Sequence, residues 1–280
     1  MTAPDCAPVP GLAITIDGAP IHYELHRSTG AAGYHNPLVF LHEGLGSIRQ
    51  WRSFPGAVRH RLGGPAMLVY SRHGHGQSGL RARSTGVVDL RHEALTVLPQ
   101  LLAELDIRAP VLIGHSDGAS IAALYASAGH PVTGLVLIAP HVFVEQVTVR
   151  GIADATERYH AGPLRQALTR YHLDPDSMFG SWSRLWLDPA FRTWNIEEEL
   201  ARISAPIMTI QGVADQYGTL AQLDAIERCV PGPVRRLVLP DIGHTPHLEA
   251  PTLTVAAIAA FIRHRLASDG SAPSAGIELN

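Results

Sequence analysis

The sequence predicts an α/β fold: a doubly wound, mostly parallel, eight-stranded sheet with a helical segment inserted after the sixth strand. Three observations lead there. Short apolar runs alternate with longer stretches of helical periodicity along most of the 280 residues. The runs are nearly unbroken, as suits parallel strands covered on both faces. The strand rhythm stops over residues 141–201 and then resumes.

Residues 12–16 and 21–25 alternate apolar and polar side chains around Asp17-Gly18-Ala19-Pro20, which predicts an antiparallel opening hairpin. Residues 38–41, 67–70, 111–114 and 135–139 read as buried parallel strands. Between them, helices are expected over 47–61, 88–105 and 118–128. In the second helix Leu90, Ala94, Val97, Leu98, Leu101 and Leu105 form one stripe, which Pro99 should kink or break. After the interruption come a strand at 207–211, a helix at 220–229, a strand at 236–239 and a helix at 253–266. The expected organisation is a core of residues 1–140 and 202–267, a helical cap of 141–201, and a frayed or disordered tail of 268–280 rich in Ser, Ala, Gly and Pro. The cap holds Trp182, Trp186, Trp194, Phe143, Tyr159, Met178 and Phe179. Inserted there, such side chains sit above the carboxyl ends of the strands, where ligands of open α/β sheets bind, or fill the cap's own core.

Composition narrows the chemistry. The 22 cationic residues are all Arg, so Schiff-base catalysis, a pyridoxal-phosphate lysine, a Walker lysine and a kinase strand lysine are excluded. The net charge of −3 gives no basic excess for nucleic acid. Cys6 and Cys229 make no disulfide framework in a chain of this length. The amino terminus lacks a basic region followed by an apolar one, and no run approaches the roughly 18 apolar residues of a membrane span. A cytoplasmic protein with no membrane or nucleic-acid partner is expected. The oligomeric state is not legible, a homodimer being compatible with the sequence.

Gly114-His115-Ser116-Asp117-Gly118 follows a buried strand and opens an Ala-rich helix. In that context G-x-S-x-G describes a tight strand-to-helix turn with the serine hydroxyl exposed on a strained corner. His42-Glu43-Gly44-Leu45-Gly46 ends an earlier strand, where a loop can aim a backbone N–H at an oxyanion, the second donor being the amide of Asp117. Asp215 and His244 each lie just past a later predicted strand. The order Ser116, Asp215, His244, on three loops at the same end of the sheet, is the order expected of this sheet type.

These features, together with Tyr70-Ser71-Arg72-His73-Gly74-His75-Gly76-Gln77-Ser78, resemble the α/β-hydrolases of the esterase/lipase, C–C-bond hydrolase and enol-lactonase group, from about residue 37 to residue 267. The resemblance implies Ser116 as nucleophile, His244 as base, Asp215 as its orienting acid, and the amides of Gly44 (or its neighbour Leu45) and Asp117 as oxyanion hole. It implies no cofactor and no metal, and gives the 70–78 loop a supporting role. Glu43 stands where the family usually has glycine, and Asp117 follows the nucleophile where hydrophobic residues or Gln are common. The Asp117 carboxylate either faces the pocket, where it would attract a cation, or caps its helix. Glu43, Leu45, Phe143, Tyr159, Trp182 and Trp186 are the expected substrate contacts. The expected reaction is cleavage of a small to medium ester; lactone, C–C-bond and amino-ester hydrolysis are the alternatives on the same residues, and a non-catalytic small-molecule receptor the alternative outside enzymes. His73-x-His75 between glycines lacks any H-E-x-x-H helix that would suggest zinc, and G-x-G at 44–46 lacks the third glycine of a dinucleotide loop.

Overall fold

A hairpin starts the sheet. β1 (Leu12–Ile16) and β2 (Ala19–His26) pair antiparallel across Asp17-Gly18, whose φ angles of 48° and 76° are the left-handed pair a two-residue turn needs to match strand twist. β3 (Leu38–Leu41), β4 (Met67–Tyr70), β5 (Val111–His115), β6 (Gly134–Ile138), β7 (Ile207–Gly212) and β8 (Val234–Leu239) complete an eight-stranded sheet in the order β1-β2-β4-β3-β5-β6-β7-β8. β2 pairs antiparallel with β4, and every later pairing is parallel. The computed structural model describes residues 11–29, 36–81 and 89–269.

The strands alternate between two apolar layers with the period of the pleat. Leu38 and Phe40 face one layer and Val39 and Leu41 the other; Val111 and Ile113 lie opposite Leu112 in the same way. The first layer is closed by α1 (Phe54–Arg61) and α11 (Pro251–Asp269), through Phe54, Val58, Ile258 and Phe261. The second is closed by α2 (Leu90–His92), α3 (Leu98–Glu104) and α4 (Asp117–Ser127). α4 is buried along its whole length, which its small Ala and Gly side chains allow.

Two expected helices are divided. The 47–61 segment becomes a 3₁₀ turn (Ile48–Trp51) followed by α1, because Arg52 takes a φ of 52° and Pro55 favours the first turn of a new helix. In the 88–105 segment the irregularity falls just before Pro99. A π turn over Glu93–Val97 joins α2 to α3, with Leu98 N–H bonded to Glu93 O. Proline cannot donate to the carbonyl one turn back, and the wider turn absorbs that missing bond. α11 runs on through Ser268 and Asp269, so the expected tail begins within a helix, and its remainder (270–280) lies outside the described residues, as does Cys6.

Between β6 and β7 the chain is helical: α5 (Gln146–His160), α6 (Pro163–Leu168), α7 (Pro175–Leu187), a 3₁₀ turn (Pro189–Thr193) and α8 (Glu197–Leu200). The two ends of this insertion meet in a short antiparallel neck. Phe143 bridges to Asn195, Val144 N–H bonds Trp194 O at 3.2 Å, and Ile196 N–H bonds Val142 O at 2.8 Å. α9 (Ala221–Cys229) connects β7 to β8, and α10 (Pro246–Glu249) precedes α11. Among the described residues no helix is long and apolar enough to cross a membrane.

Candidate active site

Ser116 occupies the corner between β5 and α4, with φ 52° and ψ −118°. That conformation costs a residue bearing a Cβ roughly 1–3 kcal/mol, so the surrounding packing must impose it. The packing is backbone on backbone: a Cβ on Gly114 would lie 2.3 Å from Gly118 O, and one on Gly118 would lie 2.0 Å from Leu41 O. Both glycines are therefore required by the close passage of α4 beside β5 and the end of β3. Ser116 N–H is held by Ile138 O at 2.9 Å.

Asp215 follows β7, and both its oxygens face His244 Nδ1, Oδ1 at 2.9 Å and Oδ2 at 2.8 Å. The carboxylate is itself held. Gln211 Nε2 donates to Oδ2 at 2.7 Å and Tyr217 N–H to Oδ1 at 2.7 Å. Burial works to raise the Asp215 pKa, but the neighbouring imidazole of His244, the Tyr217 N–H and His141 outweigh it, and the net direction is downward. With Nδ1 committed to Asp215, His244 keeps Nε2 for other partners.

Ser116, Asp117 and His244 line one cavity of about 260 Å³, with Glu43, Gly44 and Leu45 on one side and Trp182 and Trp186 of α7 on another. Among the described residues no hydrogen bond joins Ser116 Oγ to His244; such contacts commonly tighten only around substrate. The amides of Gly44, Leu45 and Asp117 likewise engage no hydrogen bond among the described residues. Gly44 lies directly beneath Trp182, where a Cβ would meet the indole nitrogen at 2.0 Å.

Asp117 does not cap its helix through its side chain. Its carboxylate, almost fully buried, instead approaches Arg72 Nη2 at 3.4 Å. Burial pushes its pKa up, against the pull of the Arg72 guanidinium. The indole N–H of Trp186 makes no regular hydrogen bond, although its proximity to Asp117 favours the ionised carboxylate. Glu43 has a different role: its Oε2 lies 3.4 Å from His115 Nδ1, and His115 Nε2 lies 2.8 Å from the carbonyl oxygen of His244. Burial raises the Glu43 pKa, but the bond to and charge of His115, with His42 and His247, outweigh it and hold the group well below the usual carboxylate range. Glu43 thus connects the loop after β3 to the loop that carries His244.

Of the six expected substrate contacts, Glu43, Leu45, Trp182 and Trp186 line the cavity. Phe143 and Tyr159 do not, and those two expectations are corrected. Phe143 is used in the neck of the insertion. Tyr159 stacks on Phe179 with ring centroids 3.8 Å apart and donates its hydroxyl to Asp176 Oδ1 at 2.6 Å. The sequence reading passed over His115, His141 and Tyr217. His115 was legible as the variable residue before Ser116. His141 follows β6 and donates from Nε2 to Tyr217 O at 3.1 Å. Burial, then the charge of nearby His244, lowers its pKa to about 4 and keeps it neutral beside the catalytic candidates.

A protein-family model described as the alpha/beta hydrolase family matches residues 38–258. The chain belongs to the alpha/beta hydrolase family. Solved structures agree with that assignment in fold. A proline iminopeptidase from Mycobacterium smegmatis superposes with a TM-score of 0.68 at 18% identity, covering 92% of this chain and 99% of its own. An esterase from Thermogutta terrifontis gives 0.69 at 19%, with 92% and 99% covered. An enol-lactonase from Burkholderia xenovorans LB400 gives 0.69 at 17%, with 90% and 100% covered. No curated protein sequence matches the chain. Family membership makes this alpha/beta hydrolase a candidate for hydrolytic chemistry without naming the bond it cleaves.

Proposed function

We propose that this alpha/beta hydrolase is a cofactor-free serine hydrolase that cleaves small to medium carboxylic esters through an acyl-enzyme. The observation that carries the reading is the pairing of His244 Nδ1 with both Asp215 oxygens, at 2.9 and 2.8 Å, in the cavity that Ser116 also lines. His244 Nε2 takes the Ser116 proton as Oγ bonds to the ester carbonyl carbon. The carbonyl electrons move onto oxygen, which the amides of Asp117 and of Gly44 or Leu45 receive. Collapse expels the alkoxide, protonated by His244, and water then repeats the sequence to release the acid. Asp215 holds the imidazole tautomer and stabilises its charged form. Trp182, Trp186, Ile152 and Leu45 supply an apolar wall suited to an acyl group of modest size. The test is a rapid quench with a short-chain p-nitrophenyl ester: the peptide containing Ser116 should gain the mass of the acyl group. Turnover with the acyl mass on another residue, or with no acylated intermediate in a burst experiment, overturns the mechanism.

A second reading, hydrolysis of amino esters, is favoured by one observation. Glu43 stays ionised and its side chain keeps 24% of its exposure at the cavity, so a protonated amine has a counter-charge there. Under this reading the protein prefers an alanine ester over the matching propionate ester, and Glu43→Gln removes about tenfold of that preference, as loss of one charge-assisted contact should. Equal turnover of the two esters by the unmodified protein excludes it. A small-molecule ester or lactone as partner, with no membrane or nucleic acid, and a cytoplasmic site of action complete the proposal.

A further inference from the structure

Three imidazoles outside the proposed chemistry run beneath the loop of residues 43–45, and each reaches a different carbonyl. His42 Nδ1 lies 2.7 Å from Glu43 O, His75 Nε2 3.0 Å from Gly44 O, and His172 Nε2 3.0 Å from Leu45 O. Their rings form a row, with centroids 5.0 Å apart from His42 to His75 and 6.0 Å apart from His75 to His172. Arg72 Nη2 adds a second donor to Glu43 O at 2.9 Å, and Gln50 Nε2 a second to Leu45 O at 2.9 Å.

Peptide geometry turns these tethers into directions. Across a trans peptide the C=O and the following N–H point opposite ways. Holding Glu43 O therefore aims Gly44 N–H, and holding Gly44 O aims Leu45 N–H. Holding Leu45 O aims Gly46 N–H, which closes the turn onto Glu43 O at 3.0 Å. His42 and His75 set the orientation of the two amides that can serve the oxyanion, and His172 acts one peptide further on, fixing the Gly46 N–H that closes the turn and so the loop that carries both.

The three rings are not equivalent. His75 has a carbonyl at each nitrogen, the other being His73 O at 2.9 Å from Nδ1, so a single neutral N–H is divided between two acceptors. Burial, with the Arg72 charge, holds it in that neutral form. His172 is matched at both ends. Its Nδ1 accepts from Gly76 N–H at 3.0 Å, so its proton is on Nε2 and faces Leu45 O. Leu173 N–H returns to Gly76 O at 3.0 Å, and Arg49 reaches Arg170 O at 3.1 Å. His172 lies between α6 and α7, within the inserted segment, whereas His42 and His75 belong to loops of the sheet.

We infer that His172 is a positioning residue: by holding Leu45 O it sets the oxyanion loop, so that the seating of the inserted helices governs carbonyl activation as well as cavity shape. This inference rests on the serine-hydrolase reading of the Ser116 site. Its test compares His172→Phe with His172→Gln, since a primary amide carries an acceptor and a donor side by side as a neutral imidazole does. In the Phe variant kcat should fall about tenfold or more with KM within about threefold, because the lost interaction bears on the transition state. Affinity for a trifluoromethyl ketone, whose hemiketal needs the same amides, should fall by the same factor as kcat/KM. The Gln variant should recover most of both. An unchanged kcat in the Phe variant overturns the inference. So does a fall in melting temperature or a rise in KM without Gln rescue, the pattern of a merely structural residue. If the unmodified protein cleaves no ester, the hydrolase reading fails separately, and hydrogen exchange at Gly46 N–H decides the anchoring. Faster exchange in the Phe variant, restored by Gln, sustains it, and equal exchange removes it.

Discussion

Replacing Ser116 with alanine is expected to lower kcat for ester cleavage by about 10⁶-fold while leaving the fold intact. The reason for the first half is that no other hydroxyl joins Ser116 among the groups lining the cavity beside His244, apart from Thr148, Thr245 and Tyr217, none of which sits on the strained turn at the start of α4. The second half follows because Ser116 Oγ holds no hydrogen bond among the described residues, so its removal orphans no buried donor or acceptor. Alanine meets the same φ of 52° that serine does, and its stability should lie within about 1 kcal/mol of the parent. Ser116→Gly separates strain from chemistry. It should be as inactive as the alanine variant, yet more stable than it by about 1 kcal/mol, since only glycine visits that region freely. Denaturant melts of the two variants, beside p-nitrophenyl ester assays, check both statements. Retention of even a hundredth of the parent rate by Ser116→Ala in a pure preparation would remove the nucleophile from the scheme.

Asp215→Asn is expected to cost about 10⁴-fold in kcat, for a reason specific to this site. Both carboxylate oxygens are already acceptors from the protein, Oδ2 from Gln211 Nε2 and Oδ1 from Tyr217 N–H. An asparagine amide must turn its NH₂ toward one of these donors, and whichever it chooses, a single oxygen remains for His244. If the amide nitrogen faces His244 Nδ1, the imidazole is driven to carry its proton on Nε2, where it cannot accept from Ser116. The substitution also alters the response to acid. The Asp215 pKa lies below its ordinary 3.8, so its stabilising contribution is complete above that value and is lost as pH falls through the lower folded-state value. The asparagine variant lacks that titration, and the gap in stability between parent and variant should narrow as pH drops below about 4. Acid unfolding followed by circular dichroism measures it; a constant gap down to pH 2 would show that the carboxylate gains nothing from its partners in the folded state.

The parts of the fold that could be read from sequence are those whose cause is local. The runs at 38–41 and 111–114 are apolar at every position because both faces of those strands are covered, and their placement needed no tertiary information. Gly114 and Gly118 announced the tight turn, though the reason for them, the carbonyl of Leu41 pressed against α4, is a contact between distant segments. Where a single dihedral decided the outcome, the sequence misled: one helix is expected over 47–61, and Arg52 divides it by adopting φ 52°. Aromatic content pointed to the insertion as a source of cavity-lining rings but could not tell which rings turn inward. Trp182 and Trp186 lie on the face of α7 toward the cavity, whereas Tyr159 stacks within the insertion's own core. The row of His42, His75 and His172 was the least visible, since its members come from three separate segments and no spacing rule links them. His73 and His75 fall in the 70–78 loop, for which a supporting role is expected, but the acceptors those rings meet are backbone oxygens that a sequence does not display.

The neck formed by Phe143 and Asn195 has a consequence for how such a protein can diversify. Departure and return of the inserted helices are stitched side by side, so the ends of the insertion stay together whatever length of chain lies between them, and the entropy of closing a longer or shorter excursion changes only slowly with its size. A foreign lid grafted at this seam would inherit ready-made anchorage and redraw the portal through which molecules enter. What it would have to bring with it is an acceptor–donor pair to stand between Gly76 and Leu45.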